Sequence, residues 1–189
     1  MKIFSALCLT LFTVVFLSTP TFADEQIYEL QYMFVDSDLE GAAFEPNALQ
    51  FKYIKPYSSY IDFEGLVALG INEVKIERKL PAVGTFTQKF KLSNIIGIFG
   101  KIHTELEPRV LLYGHLGLAR IEYDISSSAP GVLPDGMLSD SGAAYGIGLS
   151  FAILKKGAFV VEFNQFPDVN KQGNTIDTAA LSIGYQMPF

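Results

Sequence analysis

From residue 27 to the end of the chain, apolar side chains alternate with small or polar ones in eight separate stretches. Neighbouring side chains of an extended chain point to opposite faces, so each stretch reads as a strand with one greasy and one mixed face. The last is the cleanest: Leu181, Ile183, Tyr185, Met187 and Phe189 share one face, and Ser182, Gly184 and Gln186 the other. The first, over 27–35, sets Tyr28, Leu30, Tyr32 and Phe34 against Glu29 and Gln31, and the second, 48–55, sets Leu49, Phe51 and Tyr53 against Gln50 and Lys52. In the third, 60–70, Ile61, Phe63, Val67 and Leu69 oppose Asp62, Glu64, Ala68 and Gly70. The fourth, 85–101, places Phe86, Phe90, Leu92, Ile96 and Ile98 opposite Thr87, Lys89, Lys91, Ser93 and Gly97. The fifth, 109–123, has Val110, Leu112, Leu116 and Leu118 against Tyr113, His115, Gly117 and Ala119. The sixth, 144–154, has Tyr145, Ile147, Leu149, Phe151 and Ile153 against Gly146, Gly148 and Ser150, and the seventh, 158–166, has Phe159, Val161 and Phe163 against Glu162 and Asn164. Repetition of a period of two over so many segments is a strand signal and not a helical one.

The connections are sorted by parity. Links 36–47, 71–84, 124–143 and 167–176 are long and polar or rich in Gly and Pro, whereas 56–59, 102–108 and 155–157 are short. A meander closed into a barrel, with all its long loops at one end, produces this sorting. The expected fold is therefore all-β, an eight-stranded antiparallel up-and-down barrel.

A soluble carrier barrel would also alternate, with its apolar face inward around a greasy ligand. The residue types of the second face separate the two cases. Gly and Ser are mixed there with Glu29, Asp62, Glu64, Lys89, Lys91 and Glu162. Such residues suit a narrow interior of small side chains and paired charges, since a charge buried alone is costly. Aromatics recur near strand ends (Tyr28, Tyr53, Tyr60, Tyr123, Tyr145, Phe166, Phe189), as interfacial girdles require. The greasy face is thus expected to meet lipid, making the barrel a transmembrane one.

Residues 1–23 read as a secretory signal peptide. Lys2 is the positive n-region, an apolar run follows from Ile3 to Leu17, and Thr21-Phe22-Ala23 precedes Asp24 as a small-residue cleavage site. That run is shorter than the about 20 residues a spanning helix needs. Cys8, the single cysteine, lies inside the signal after Leu7, which does not suit lipidation. The remaining domain, 24–189, then has no cysteine, as fits an oxidising compartment in which the protein uses no disulfides. The chain has 14 Lys and Arg against 20 Asp and Glu, a net charge of −6, and loses one more cation with Lys2. Such an acidic chain lacks the basic footprint of nucleic-acid binding.

The terminal segment resembles the assembly signal of outer-membrane β-barrel proteins, with Ser182, Gly184, Met187 and Phe189 in its places; Pro188 is the departure. With Leu112-Tyr113-Gly114-His115-Leu116-Gly117 and Tyr145-Gly146-Ile147-Gly148-Leu149, the chain resembles the OmpA-type and OmpX-type family of small barrels. The resemblance spans residues 24–189 through degenerate motifs. It implies a monomer in a Gram-negative-type outer membrane, in contact with its lipids and lipopolysaccharide. It also implies recognition of the C-terminal strand by the outer-membrane assembly machinery. No length is left for a peptidoglycan-binding domain, so that role does not carry over.

Some barrels of this kind modify lipid A, which needs a base within reach of a nucleophile and a third group to orient it. His103 lies beside Thr104, Glu105 and Glu107, but sequence neighbours on an extended chain face opposite ways, and the segment reads as a solvated turn. His115 reads as a satisfied interior histidine, and the His-x-Ser arrangement of deacylase barrels is absent. Asp36-Ser37-Asp38-Leu39-Glu40-Gly41 matches the first half of a calcium loop. The match fails at Asn47, where a bidentate Glu is wanted; Glu45 would need another geometry, and the segment reads as an acidic solvated loop. Arg120 with Lys75, Arg78 and Lys79 is expected near the outer rim, within reach of lipopolysaccharide phosphates. The third loop, with Ser126, Pro130, Gly131, Pro134 and Gly136, carries no binding motif.

No catalytic, cofactor-binding or metal-ligating residue is expected, and no cofactor. Eight strands leave an interior mostly filled by side chains. These features favour a structural or surface-interaction barrel, not an enzyme, whose long extracellular loops could hold a ligand. A narrow porin-like channel lined by Glu64 and Glu162 is the alternative, ahead of a lipid A-modifying enzyme or a lipocalin-like carrier.

Overall fold

The computed structural model describes residues 26–39, 42–80, 84–128, 136–154, 157–171 and 174–188, apart from the side chains of 42, 78–80, 154, 171, 174 and 188. The signal segment 1–23, the terminal Phe189, Glu40 and Gly41 of the first link, and Pro130, Gly131 and Pro134 of the third lie outside the described residues.

The described residues form eleven strands: β1 (Ile27–Leu39), β2 (Ala42–Phe44), β3 (Asn47–Pro56), β4 (Ile61–Gly70), β5 (Glu73–Leu80), β6 (Gly84–Glu107), β7 (Val110–Ser127), β8 (Gly136–Leu154), β9 (Gly157–Gln165), β10 (Val169–Lys171) and β11 (Asn174–Pro188). Eight of them, β1, β3, β4, β6, β7, β8, β9 and β11, pair antiparallel in chain order. The ring closes where β1 meets β11, from Ile27 opposite Pro188 to Leu39 opposite Ile176. The chain is an eight-stranded antiparallel up-and-down barrel of the transmembrane type.

The long connections do share one end, but they are less loop-like than expected. β5 continues the line of β4 and pairs with β6 from Glu73 opposite Lys91 to Leu80 opposite Gly84, so most of 71–84 is hairpin. β2 folds back on β1, and β10 on β11. At the opposite end the link at 102–108 is also mostly strand: the β6–β7 ladder runs on to Glu107 opposite Val110. Only Pro108 and Arg109 turn, with Arg109 at a φ of 91°.

The greasy faces point outward. Leu30, Phe34, Leu49, Val67, Leu69, Leu116, Leu118, Tyr145, Ile147 and Ile153 are exposed, while Glu29, Met33, Gln50, Leu66, Ala68, His115 and Ala144 on the other face are buried. A carrier barrel would have the reverse arrangement, so the lipocalin-like alternative is discarded. Along β1, β7 and β11 the apolar outer row ends at Asp36, Arg120 and Asp177. The belt thus has the height of strands of about 9–11 tilted residues, the length that crosses a bilayer.

One strand breaks the expected facing. In β6 a bulge lies between Leu92, opposite Tyr123, and Asn94, opposite Glu122. The extra residue flips the alternation. Phe86, Phe90 and Leu92 are buried inside instead of facing lipid with Ile96, and Lys89 and Lys91, expected in the lumen, face outward. Tyr123 and Phe166, expected in a girdle, are likewise buried inside.

The interior has two layers. Toward the long connections it is apolar, with Met33, Leu39, Phe44, Phe90, Ile121, Ile125, Leu138 and Ile176 in one cluster, and Val74 and Ile76 of β5 packed against it. Phe44 stacks on Phe90 at 4.4 Å. Tyr123 satisfies its hydroxyl with Ser37 at 2.7 Å and Thr178 at 2.9 Å. An interior of small side chains and paired charges was the expectation; this half of it is a hydrophobic core.

Leu116→Lys, mid-belt, is expected to cost about 2–4 kcal/mol, the penalty for a cation on the lipid face. Ser126→Lys, above the belt, should fall within about 0.5 kcal/mol of wild type. Urea unfolding from lipid vesicles measures both; equal effects would mean that the belt does not contact lipid.

Candidate functional site

The second interior layer, toward the short turns, is polar and charged. Period-two facing supplies it residue by residue: Glu29 and Gln31 from β1, Gln50 and Lys52 from β3, Asp62 and Glu64 from β4, Lys101 from β6, Tyr113 and His115 from β7, and Glu162 and Asn164 from β9, all buried. Register sets them at matching heights, with Glu29 opposite Lys52 and Asp62 opposite Lys101. On β8 the residues facing this layer are Gly146 and Gly148. Any Cβ at Gly148 would run into the Tyr113 ring, and one at Gly146 into His115 and Asn164. These glycines are the space into which two rings from β7 fold.

Lys52 is the centre. Its ammonium lies 2.6 and 2.5 Å from the two oxygens of Glu162, 3.0 Å from Glu64 Oε1 and 3.8 Å from Glu29 Oε1. Tyr113 donates its hydroxyl to Glu162 Oε2 at 2.8 Å. Asn164 donates Nδ2 to Glu162 Oε1 at 2.6 Å and presents Oδ1 to His115 Nε2, also at 2.6 Å. His115 Nδ1 lies 3.1 Å from Glu64 Oε1, and its ring stacks on Phe99 at 4.8 Å. Gln31 donates to Glu29 and accepts from Gln50. Lys101 lies 3.8 Å from the centre of the Tyr113 ring, a cation–π contact. Glu29 Oε2, Glu64 Oε2 and Gln50 Oε1 are buried without a hydrogen-bond partner among the described residues.

Among the sequence candidates, Glu64, Glu162 and His115 meet in this cluster. His103 does not: it pairs with Asp62 at 3.4 Å, one step nearer the turns, while Thr104, Glu105 and Glu107 are exposed. No nucleophile–base–orienter trio forms there. Lys52, Tyr113 and Asn164 were read only as members of strand faces. Their signal was present as inward polar positions at a common distance from the short turns. The only three-residue group with metal-ligand atoms close together among the described residues is Glu64, His115 and Glu162, with those atoms within 4.8 Å of one another.

The acidic-loop reading is corrected. Residues 36–39 are strand paired with β11, and 37–39 also with β2, with Asp36 and Asp38 on the outer face and Ser37 and Leu39 inside. A straight paired strand cannot wrap a cation. Asp38 stands opposite Asp177, and Asp168 is hydrogen-bonded to Asp177. Desolvation, and then that neighbouring carboxyl, hold Asp168 above the ordinary carboxylate range. Lys75 and Arg120 do face outward above the belt; the side chains of Arg78 and Lys79 lie outside the description. Arg120 bonds Ser139 at 3.1 Å and Glu122 at 3.3 Å.

No protein-family model matches the chain, and no curated protein does. Solved structures do. Neisserial surface protein A (NspA) superposes with a TM-score of 0.60 at 14% identity, over 88% of this chain and 100% of that one. Ail, the attachment invasion locus protein of Yersinia pestis, was solved with the heparin analogue sucrose octasulfate; it gives 0.54 at 17%, over 86% and 98%. The outer membrane protein AlkL, solved in lipid bilayers, gives 0.52 at 15%, over 91% and 94%. The fold is that of the small outer-membrane barrels. At these identities the likeness is one of architecture alone.

Lys52→Met is expected to destabilise the barrel by about 3–5 kcal/mol, because it strands buried carboxylates without their cation. Denaturant midpoints of refolded protein measure this, and Lys55→Met, near the short-turn rim, is the control.

Proposed function

We propose that this chain is a surface-directed, non-enzymatic outer-membrane barrel, exported by segment 1–23, inserted through its β11 strand and monomeric. The observation that supports it best is the two-layer filling of the lumen. Apolar side chains close the long-connection end, and an ion cluster with its hydrogen bonds occupies the rest. A diffusion channel needs a continuous wet path, and a lumen filled in this way argues against one.

In this reading the short turns are periplasmic and the long connections extracellular, and the latter carry the biology. They form two sheet lobes, β5-β6-β7-β8 and β2-β1-β11-β10, that enclose the apolar core above the belt. Among the described residues β5 pairs with β6 alone, so its other edge is open. Open strand edges accept extended segments of other proteins. Lys75, Lys89, Lys91 and Arg120 face outward above the belt, at the height where lipopolysaccharide phosphates lie. Charge-assisted hydrogen bonds to those phosphates are their proposed role.

Heat-modifiable gel mobility with outer-membrane fractionation tests the location; a soluble periplasmic protein without a heat shift would refute it. Planar-bilayer recording tests the closed lumen, and no discrete steps are expected. Steps whose size changes with Glu64→Gln or Glu162→Gln would establish the channel instead.

A further inference from the structure

We propose that Glu64, His115 and Glu162 form a binding site for one divalent transition-metal ion of the zinc type, which Lys52 fills when no ion is bound. This goes beyond the surface role and does not depend on it.

Four observations point there. The first is charge. Glu29, Glu64 and Glu162 face a single ammonium, Lys52, whereas Asp62 has Lys101 opposite it and His103 at 3.4 Å. Counted as three carboxylates against Lys52, the inner cluster carries two formal negative charges in excess, in a layer where unpaired charge is expensive. One divalent cation removes that excess.

The second is geometry. His115 Nδ1 lies 3.1 Å from Glu64 Oε1 and 4.0 Å from Glu162 Oε2, and the ligand atoms of all three residues lie within 4.8 Å of one another. Ligands bound to a common ion at about 2.0–2.2 Å lie roughly 3–4 Å apart. All three side chains are fully buried.

The third is the orientation of His115. Asn164 donates Nδ2 to Glu162, so its Oδ1 faces Nε2 and makes that nitrogen the N–H donor. With Nε2 as the donor, the lone pair of Nδ1 faces a carboxylate oxygen at 3.1 Å. Two acceptors so placed need either a second proton or a metal ion between them, and the ion is the proposal. A metal-bound histidine characteristically donates its other N–H to a carbonyl or carboxylate in this way. Asn164 holds two ligands at once, and Tyr113 orients Glu162.

The fourth is where the lysine goes. Glu29 lies 3.8 Å from the ammonium, and its Oε2 has no hydrogen-bond partner among the described residues. An entering ion that takes Glu64 and Glu162 leaves Glu29 to pair with Lys52, so no charge is orphaned. The unpartnered Glu64 Oε2 is also free to turn toward the ion. Imidazole with two carboxylates is a donor set for zinc and, by the general affinity order, for copper and nickel. Asp62 and His103 stand between the cluster and the short-turn rim and mark the route of entry.

The test uses the full refolded barrel, its folding checked by heat-modifiable mobility, titrated with Zn²⁺ by calorimetry and with Co²⁺ by visible absorption. One equivalent should bind and give a cobalt ligand-field band. Zn²⁺ should also raise the denaturation midpoint of wild type. His115→Gln should abolish the band and the midpoint shift. Asn164→Ala, which removes only the orienting group, should weaken binding about 10–100-fold. In Lys52→Met, Zn²⁺ should restore part of the lost stability. No uptake by the folded wild type would mean that His115 answers Glu64 with a second proton, and would overturn the site. Uptake that His115→Gln leaves unchanged would assign the ion to surface carboxylates and overturn it equally.

Discussion

Closure of the ring at β1 and β11 is the constraint on which the rest depends. In hydrocarbon no water takes up an unpaired N–H or C=O, so a sheet crosses a bilayer only if it has no edge. The register from Ile27–Pro188 to Leu39–Ile176 supplies that closure. Eight strands then set a narrow interior that must be filled. Alternation does the filling: each residue that satisfies the lipid on one face delivers its neighbour to the lumen on the other.

The two interior layers solve this filling differently. Above, large apolar side chains pack as in a soluble core, and Tyr123 settles its one polar atom on Ser37 and Thr178. Below, charged and polar side chains share the interior with Ile54, Val160 and the glycines of β8, and the polar ones depend on mutual satisfaction. Replacing both partners of a buried ion pair by apolar groups is often neutral, whereas losing one is costly. The lower layer is therefore not required for stability as such. An ion cluster kept where hydrocarbon would serve is a sign of another demand, and the excess of carboxylates over Lys52 gives that demand a chemical identity.

Much of this was legible in the chain. The eight barrel strands and their antiparallel order follow from period-two facing and the sorting of the links, and the outward turn of Leu30, Ile147 and Leu181 from the residue types of the opposite face. Long-range pairing was not legible. Nothing local to Lys52 announces Glu162, which lies on the far side of the sequence and meets it only because the ring closes. Residues 36–39, read as the start of an acidic loop, differ for the converse reason. Their spacing suits a cation only on a loop, and pairing with β2 and β11 makes residues 36–39 a strand.

The bulge at residue 93 is the deepest of these failures, because one inserted residue inverts the meaning of every position above it. Without it, Phe86, Phe90 and Leu92 would continue the lipid-facing row of Ile96 and Ile98 beyond the belt into water. Lys89 and Lys91 would be driven into the apolar layer with no acid among the described residues of that cluster. With it, the aromatics pack under Phe44, and Lys89 reaches Glu73 at 3.2 Å on the outer face. β6 thus serves two environments in one strand: below the bulge its greasy face is the outside, and above it the inside. The switch is placed where the chain passes from the lipid belt, which wants apolar residues outward, to the solvated lobes, which want them inward. A strand long enough to span both has to change face at that border, and a bulge does so at the cost of one unpaired residue.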